Sequence, residues 1–304
     1  MFCALKEDRL SGNGTPAVPC RAEIYARLDE VYDPELDESI LRLGFVDDVQ
    51  IDGPDVTVTY RLPTFWCAPN FAYMMSADVR DAVRRVAGVR SVRVLLRDHC
   101  ADDTINAGIN QGRSFREAFP DEALDDLDEL RQKFLAKSFL ARQEQLIRRV
   151  QQAGLSDAQL VEVRIADVQP CGEDVLVYPR CTAGILHQAS APGARGVVRE
   201  PAAVHVRRAA GELTKYLRKR TLLGLPQHPD AYLFTDLEGA PLSAETLPAY
   251  LRHSRLVRVS ITFNTSLCEG LLRTRYATAG APQHDRAGPT DLLPVESLER
   301  RSTP

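Results

Sequence analysis

From Arg21 onward the apolar residues fall first at helical and then at alternating spacing, and each change of period marks a new element. Arg21 to Val31 reads as a short helix with Ile24, Leu28 and Val31 on one face. Asp33-Pro34-Glu35 reads as a second helix start, because an aspartate caps free amide groups and proline tolerates the first helical position; one turn would then run to Ile40. Phe45 to Ile51 and Val56 to Leu62 are strand candidates either side of Asp52-Gly53-Pro54, a predicted hairpin. Phe71, Met75, Val79, Ala82, Val83 and Val86 recur at helical spacing up to Gly88, and Val89 to Leu96 follows as a third strand. The order is helix, strand, strand, helix, strand.

A long helical signal runs from Asp121 to Ala153, acidic at its start (Asp121, Glu122, Asp125, Asp126) and basic at its end (Arg148, Arg149), as the helix dipole favours. It reads as a connector packing against a domain on each side. Beyond Gly154 the pattern restarts: strands at Leu160 to Val168 and Val175 to Tyr178, a glycine-rich loop at Pro192 to Gly196, the segment Ala202 to Arg207, a helix near Glu212 to Arg220 and a strand at Leu256 to Phe263. The expected class is α/β in the broad sense (α+β). It comprises a small αββαβ domain over 19–115, a connecting helix over 116–154 and a second α/β domain over 155–280, between loosely ordered ends at 1–18 and 281–304.

Composition fits a globular chain, with 44% hydrophobic and 26% charged residues in 304. No stretch approaches the roughly 20 apolar residues that cross a bilayer, and the opening residues lack the apolar core of a signal peptide, so a cytoplasmic, non-membrane protein is expected. A net charge of -4 without a strongly basic half disfavours nucleic acid as a partner. The densest basic run, Arg207, Arg208, Lys215, Arg218, Lys219 and Arg220, falls on a predicted helix and reads as a solvated face. Seven widely spaced cysteines are an odd number in a chain too long to need staples, which points to reduced thiols or metal ligands.

Among these, Cys67 lies in Pro63-Thr-Phe-Trp-Cys-Ala-Pro69, after a strand and just ahead of a helix. Unpaired amides and the positive end of a helix dipole would stabilise a thiolate there. Position alone leaves a second reading open, a cysteine packed beside Trp66. A strand, helix, strand sequence usually forms a right-handed crossover with parallel strands, which brings Cys67 and the Asp98-His99-Cys100 segment to one edge. Cys67, His99 and Cys100 would offer soft donors for iron, zinc or a cluster, although adjacent His99 and Cys100 cannot face the same way on an extended strand. Alternatively, His99 could activate Cys67 as a nucleophile. In the second half Cys181 follows a predicted strand, and Cys268 follows another and precedes a short apolar helix, an echo of the Cys67 setting.

Other signals are weak. No closely spaced cysteine pairs of the zinc-ribbon type occur, and there is no Walker loop. Ala107 to Arg113, with Gly108 and Gly112, fits no nucleotide motif and reads as a turn.

Taken together, Asp33-Pro34-Glu35, Leu43-Gly44-Phe45-Val46, the hairpin, Thr64-Phe-Trp-Cys67-Ala-Pro69, Val86-Ala-Gly-Val89 and Val92-Arg-Val94 resemble the iron-sulfur assembly family that includes SufT and PaaD. The resemblance covers about residues 20–98. It implies a small α/β domain that assembles iron-sulfur clusters or matures metalloenzymes, with a reactive cysteine at Cys67 and Asp33 as its acidic neighbour. Phe65 and Trp66 depart from the small residues expected before that cysteine and would restrict access to it. The added second domain departs from typical members, and larger chains of this type also resemble accessory proteins of multicomponent monooxygenases. The expectation is a non-enzymatic factor that holds iron or an iron-sulfur cluster transiently and delivers it to a client metalloenzyme, its partners being that client or cluster-assembly proteins, with a homodimer compatible. A non-catalytic adaptor or maturation chaperone for a di-iron monooxygenase is the alternative, and a cysteine-dependent hydrolase a more distant third.

Overall fold

The computed structural model describes residues 18–121, 127–180 and 203–276. The segments expected to be loose at either end fall outside this range except for Val18, as do Cys181 and the Pro192–Gly196 loop.

Two apolar cores organise the chain. The first begins with α1 (Arg21–Leu28), which buries Ile24 and Leu28. The expected helix after Asp33 does not form. Instead β1 (Tyr32–Asp33) and β2 (Glu38–Ser39) make a two-stranded antiparallel ribbon around a tight turn. Asp33 does accept backbone N–H groups as a cap would, from Glu35 at 2.8 Å and Leu36 at 2.9 Å, but the chain reverses before a helix can propagate. Asp37, at φ 51°, closes that reversal.

Next come β3 (Val46–Asp52) and β4 (Asp55–Arg61), an antiparallel hairpin turned at Gly53 with φ 56°. Helix α2 (Pro69–Arg84) crosses over to β5 (Ser91–Arg97), which runs parallel to β4 from Asp55↔Ser91 to Arg61↔Arg97. The sheet order β3-β4-β5 leaves β4 in the centre, where Val56, Val58 and Tyr60 are buried. On α2 it is Ala72, Met75, Val79 and Val83, spaced at three and four, that are buried in this core.

Residues read as a turn, around Gly108, are in fact helical: α3 (Asp102–Asn110) precedes the short α4 (Phe115–Ala118). Gly108 is required by close packing, since a Cβ there would lie 2.9 Å from the Tyr73 hydroxyl. Asn106 and Asn110, one turn apart, reach the outer edge of β5. Each amide oxygen accepts a backbone N–H, from Leu96 at 2.8 Å and Val94 at 2.9 Å, and each amide nitrogen donates to the same residue's carbonyl at 2.9 and 2.8 Å.

The 26-residue α5 (Leu127–Gln152) leaves this core and enters the second. Phe134 packs edge-on to Phe71 with centroids 4.9 Å apart, while Phe139, Leu146, Ile147 and Val150 belong to the second core. There the expected strand at Leu160 to Val168 is replaced by α6 (Asp157–Leu160) and a 3-10 turn (Ile165–Asp167), because Ser156 with Gln159 forms a reciprocal cap that starts a helix. A three-stranded antiparallel sheet follows, β6 (Val168–Cys171), β7 (Asp174–Val177) and β8 (Val204–Val206), then α7 (Ala210–Leu222).

The largest departure is at the end. The expected strand Leu256 to Phe263 lies inside α8 (Leu247–Tyr276), a 30-residue helix. Val257, Val259, Ile261 and Thr262 favour strand locally, but inward residues repeat at helical spacing on both sides of them, and packing overrides propensity. Its first half docks on the second core, where Ser254 is buried and Arg258 pairs with the buried Glu144 at 2.6 Å. The second half lies on the first core, through Cys268 and Leu272.

Nor is the basic face of α7 solvated. Lys219 pairs with the buried Asp37, to which Arg142 of α5 adds Nε–Oδ2 at 2.6 Å and Nη2 on the carbonyl at 2.5 Å. Lys215 holds Glu38 at 3.0 Å and Arg218 donates to the Glu30 carbonyl at 2.7 Å. Arg220 is fully buried among the carbonyls of Leu233 and Pro226. Only Arg207 and Arg208 of that run stay exposed. The charges therefore clamp the β1–β2 turn to the second unit.

Candidate functional site

The crossover places Cys67 where β4 gives way to α2. Pro69 opens the helix and Ala68 is its N-cap, a residue with no side chain to cap the first amides. Because β4 and β5 run parallel, the segment after β5 returns to the same edge. There His99, almost wholly buried, holds the loop: one ring nitrogen, Nε2, lies 2.6 Å from the Cys67 carbonyl, and the other, Nδ1, accepts the Ala101 N–H at 3.1 Å. An accepting Nδ1 leaves the proton on Nε2, which donates to Cys67.

Both nitrogens of His99 are thus committed to backbone. The expected ligand is a brace that fixes the cysteine's main chain. Cys100 is exposed, and what it contributes to the loop is its N–H, donated to the Phe65 carbonyl at 2.7 Å.

In their place the structure brings three other groups to Cys67. Asp33, at the end of β1, Glu35, from the β1–β2 turn, and Cys268, from α8, all act on the Cys67 thiol. Burial, Asp33, Glu35 and Cys268 together push it up to about 12, against a smaller opposing hydrogen bond from the Ala68 amide. Cys268 is likewise pushed up to about 11 by burial, then by Asp33 and Glu35. The dipole-activated thiolate expected from position is therefore overridden. A helix end offers about half a unit charge, and desolvation beside two carboxylates outweighs it.

Asp33 itself rises to about 6, chiefly by burial, with the Leu36 and Glu35 amides pulling the other way. Among the described residues no Lys or Arg forms an ion pair with it. The site is a half-buried pair of protonated thiols beside carboxylates, a region of negative potential in which, among the described residues, neither Asp33 nor Glu35 is ion-paired.

Helix α8 forms one wall of this site. Asn264 donates to Glu35 at 3.3 Å, Thr265 lies 3.5 Å from the Leu36 carbonyl, and further along Arg275 donates to the Asp98 carbonyl at 2.9 Å. Tyr276 takes the Arg61 guanidinium over its ring at 4.8 Å. Cys268 thus reaches the site from mid-helix, and the strand-loop-helix echo of Cys67 does not exist. A helical reading of Thr265, Cys268 and Leu272 at spacings of three and four would have found this wall; Glu35 offered no signal beyond its place in the Asp-Pro-Glu turn.

Phe65 and Trp66 do not close over the thiol. Trp66 is 77% exposed and Phe65 46%, edge to face with each other, so the two rings stand out from the loop that carries Cys67. Among the described residues no three His, Cys, Asp or Glu groups converge closely enough to hold a metal ion, and no helix is long and apolar enough to cross a membrane. Of the remaining cysteines, Cys171 is exposed on β6 and Cys20 precedes α1.

No curated protein matches the chain. Residues 21–96 match the family model described as iron-sulfur cluster assembly protein, from α1 through most of β5, a span that holds Asp33, Glu35 and Cys67 but neither His99 nor Cys268. The likeness carried by the Cys67 motif agrees with this match: residues 21–96 are similar to the iron-sulfur cluster assembly family, and the similarity supports a general role in that process.

Proposed function

We propose that the chain is a non-enzymatic assembly factor that takes iron, alone or with sulfide, as transient cargo at Cys67 and passes it to a client metalloenzyme. The observation that carries this reading is the placement of Cys67, inside the matched domain, beside a second thiol and two carboxylates in a region of uncompensated negative potential. A cation entering there offsets the burial and the carboxylate repulsion that keep the thiols protonated, so metal uptake displaces protons. With fewer than three converging donors among the described residues, the remaining coordination comes from sulfide, solvent or the client, which suits cargo that must leave again. The exposed Phe65 and Trp66 offer the client an aromatic foothold beside the thiol.

Anaerobic reconstitution with ferrous iron and sulfide tests this. The wild-type chain is expected to gain iron and visible charge-transfer absorption that Cys67→Ala lacks. Equal uptake and equal spectra in both would defeat the proposal. A second reading, a non-catalytic adaptor for a di-iron monooxygenase, draws on the protonated state of Cys67; it predicts client binding that Cys67→Ala leaves intact.

A further inference from the structure

We infer that the outer face of α8 is a self-pairing surface, on which a second copy of this chain lies antiparallel about a two-fold axis at Phe263. At 100° per residue, Leu256, Val259, Phe263, Leu267 and Leu271 fall within about 120° of arc. All five are exposed, Leu256 by 71% and Phe263 by 66%, while the opposite arc is occupied by Ser254, Thr265, Cys268 and Leu272 against the two cores. The stripe is therefore not a misplaced core face. It leaves on the order of 500 Å² of apolar side chain in water, a contiguous patch of the size that marks an interface.

The order of residues along the stripe selects the occupant. About Phe263 the pattern reads alike in both directions: Val259 and Leu267 lie four residues either side, and Leu256 and Leu271 seven and eight. Small residues repeat the symmetry, with Ser260 and Ser266 three residues from Phe263 on opposite sides, so that two backbones can approach. An interface between identical copies about a two-fold must be self-complementary, and an antiparallel pair of these helices is: Phe263 meets its own counterpart, Val259 meets Leu267 and Leu256 meets Leu271.

Charge supports the same register. No charged side chain lies within the stripe between Leu256 and Leu271. On one flank, both exposed, stand Arg255 and Glu269, eight residues before and six after Phe263. Antiparallel pairing puts this flank of both copies on the same side of the seam and brings the Arg255 of each near the Glu269 of the other, whereas a parallel pair leaves the two flanks on opposite sides with no such ion pair. The shared area, roughly 1,000 Å² for both copies, is at the low end for a stable interface, so a dissociation constant in the micromolar range is expected.

Sedimentation velocity of the full chain up to about 100 µM, a concentration well above such a constant, tests the inference. The wild type is expected to shift to dimer, and Phe263→Glu, which sets two carboxylates face to face on the axis, to stay monomeric with an unchanged circular dichroism spectrum. Arg255→Glu should weaken the dimer at least several-fold and the double variant Arg255→Glu with Glu269→Arg should restore it. The restored double variant guards against mistaking damage to the helix for loss of the contact. A wild type that stays monomeric throughout, a dimer indifferent to Phe263→Glu, or a swap without rescue each overturns the pairing. So does a chain that is monomeric whole and dimerises only when cut after Tyr276, which would make residues 277–304 the occupant.

Discussion

Cys67 should react with an alkylating reagent about a hundred times more slowly than the same cysteine in the unfolded chain. An ordinary thiol, with its pKa near 8.5, is about 3% thiolate at pH 7. Held at about 12, Cys67 is some three thousandfold poorer in thiolate. A more basic thiolate is the better nucleophile, with a Brønsted slope of about 0.4 to 0.5, and that returns roughly thirtyfold of the loss. The net deficit is then about two orders of magnitude. Pulsed iodoacetamide followed by peptide mass spectrometry measures it, with the denatured chain as reference and the exposed Cys100 and Cys171 as internal controls. The pH profile is more telling than the rate, because poor access alone also slows alkylation. The Cys67 rate should climb about tenfold per pH unit from 7 to 10 without levelling. Asp33→Asn with Glu35→Gln should speed it by about three- to tenfold at pH 8, and no further, since burial is the largest cause and remains. A plateau below pH 9, or a rate at pH 7 equal to that of the denatured chain, would show that the amino end of α2 governs the thiol and that the electrostatic reasoning is wrong.

Three other outcomes concern stability. Asp33 has its folded value raised to about 6 against an unfolded value near 3.9, so the native state binds the extra proton and stability falls as pH rises through that window, by up to about 3 kcal/mol above it. Asp33→Asn keeps the Oδ1 acceptor for the Glu35 and Leu36 amides, and urea melts should show it about 1 to 3 kcal/mol more stable than wild type at pH 7.5 and no more stable at pH 4; a gap independent of pH refutes this. Asp37→Ala strands Lys219 and Arg142 without their carboxylate and should cost about 3 to 5 kcal/mol in chemical denaturation, part of it recovered when Lys219→Met is added. Asn110→Ala removes both partners of the Val94 main-chain groups and should lower stability by about 1 to 3 kcal/mol, with faster amide exchange confined to β5.

The first unit was legible because its periods are clean. The alternating Val56, Val58 and Tyr60 and the helical Met75, Val79 and Val83 report neighbours close in sequence, and the crossover rule then put the Cys67 loop beside His99. What sequence could not supply was the state of the site, since the groups that set it arrive from a distance. Cys268 lies 201 residues from Cys67, on a helix whose β-branched middle imitates a strand. The charge of α7 was misjudged for the same reason: Lys219 and Lys215 are a solvated face only until Asp37 and Glu38, from the first unit, are brought against them. His99 shows a subtler limit. Its position was found, but its role depends on two hydrogen bonds that residue type does not disclose.

The asparagine pair on α3 decides what kind of recognition the small sheet can take part in. By presenting an amide oxygen and an amide nitrogen to alternate residues of β5, Asn106 and Asn110 occupy the main-chain groups that an incoming strand would use. The opposite border, β3, carries Asp47, Asp48 and Asp52, whose like charges discourage a second acidic strand. An extended, unfolded segment thus finds little backbone to zip onto along β5, and along β3 an acidic one is repelled. At the β5 border a partner is read through side chains and shape, which favours surfaces that have already folded over extended segments.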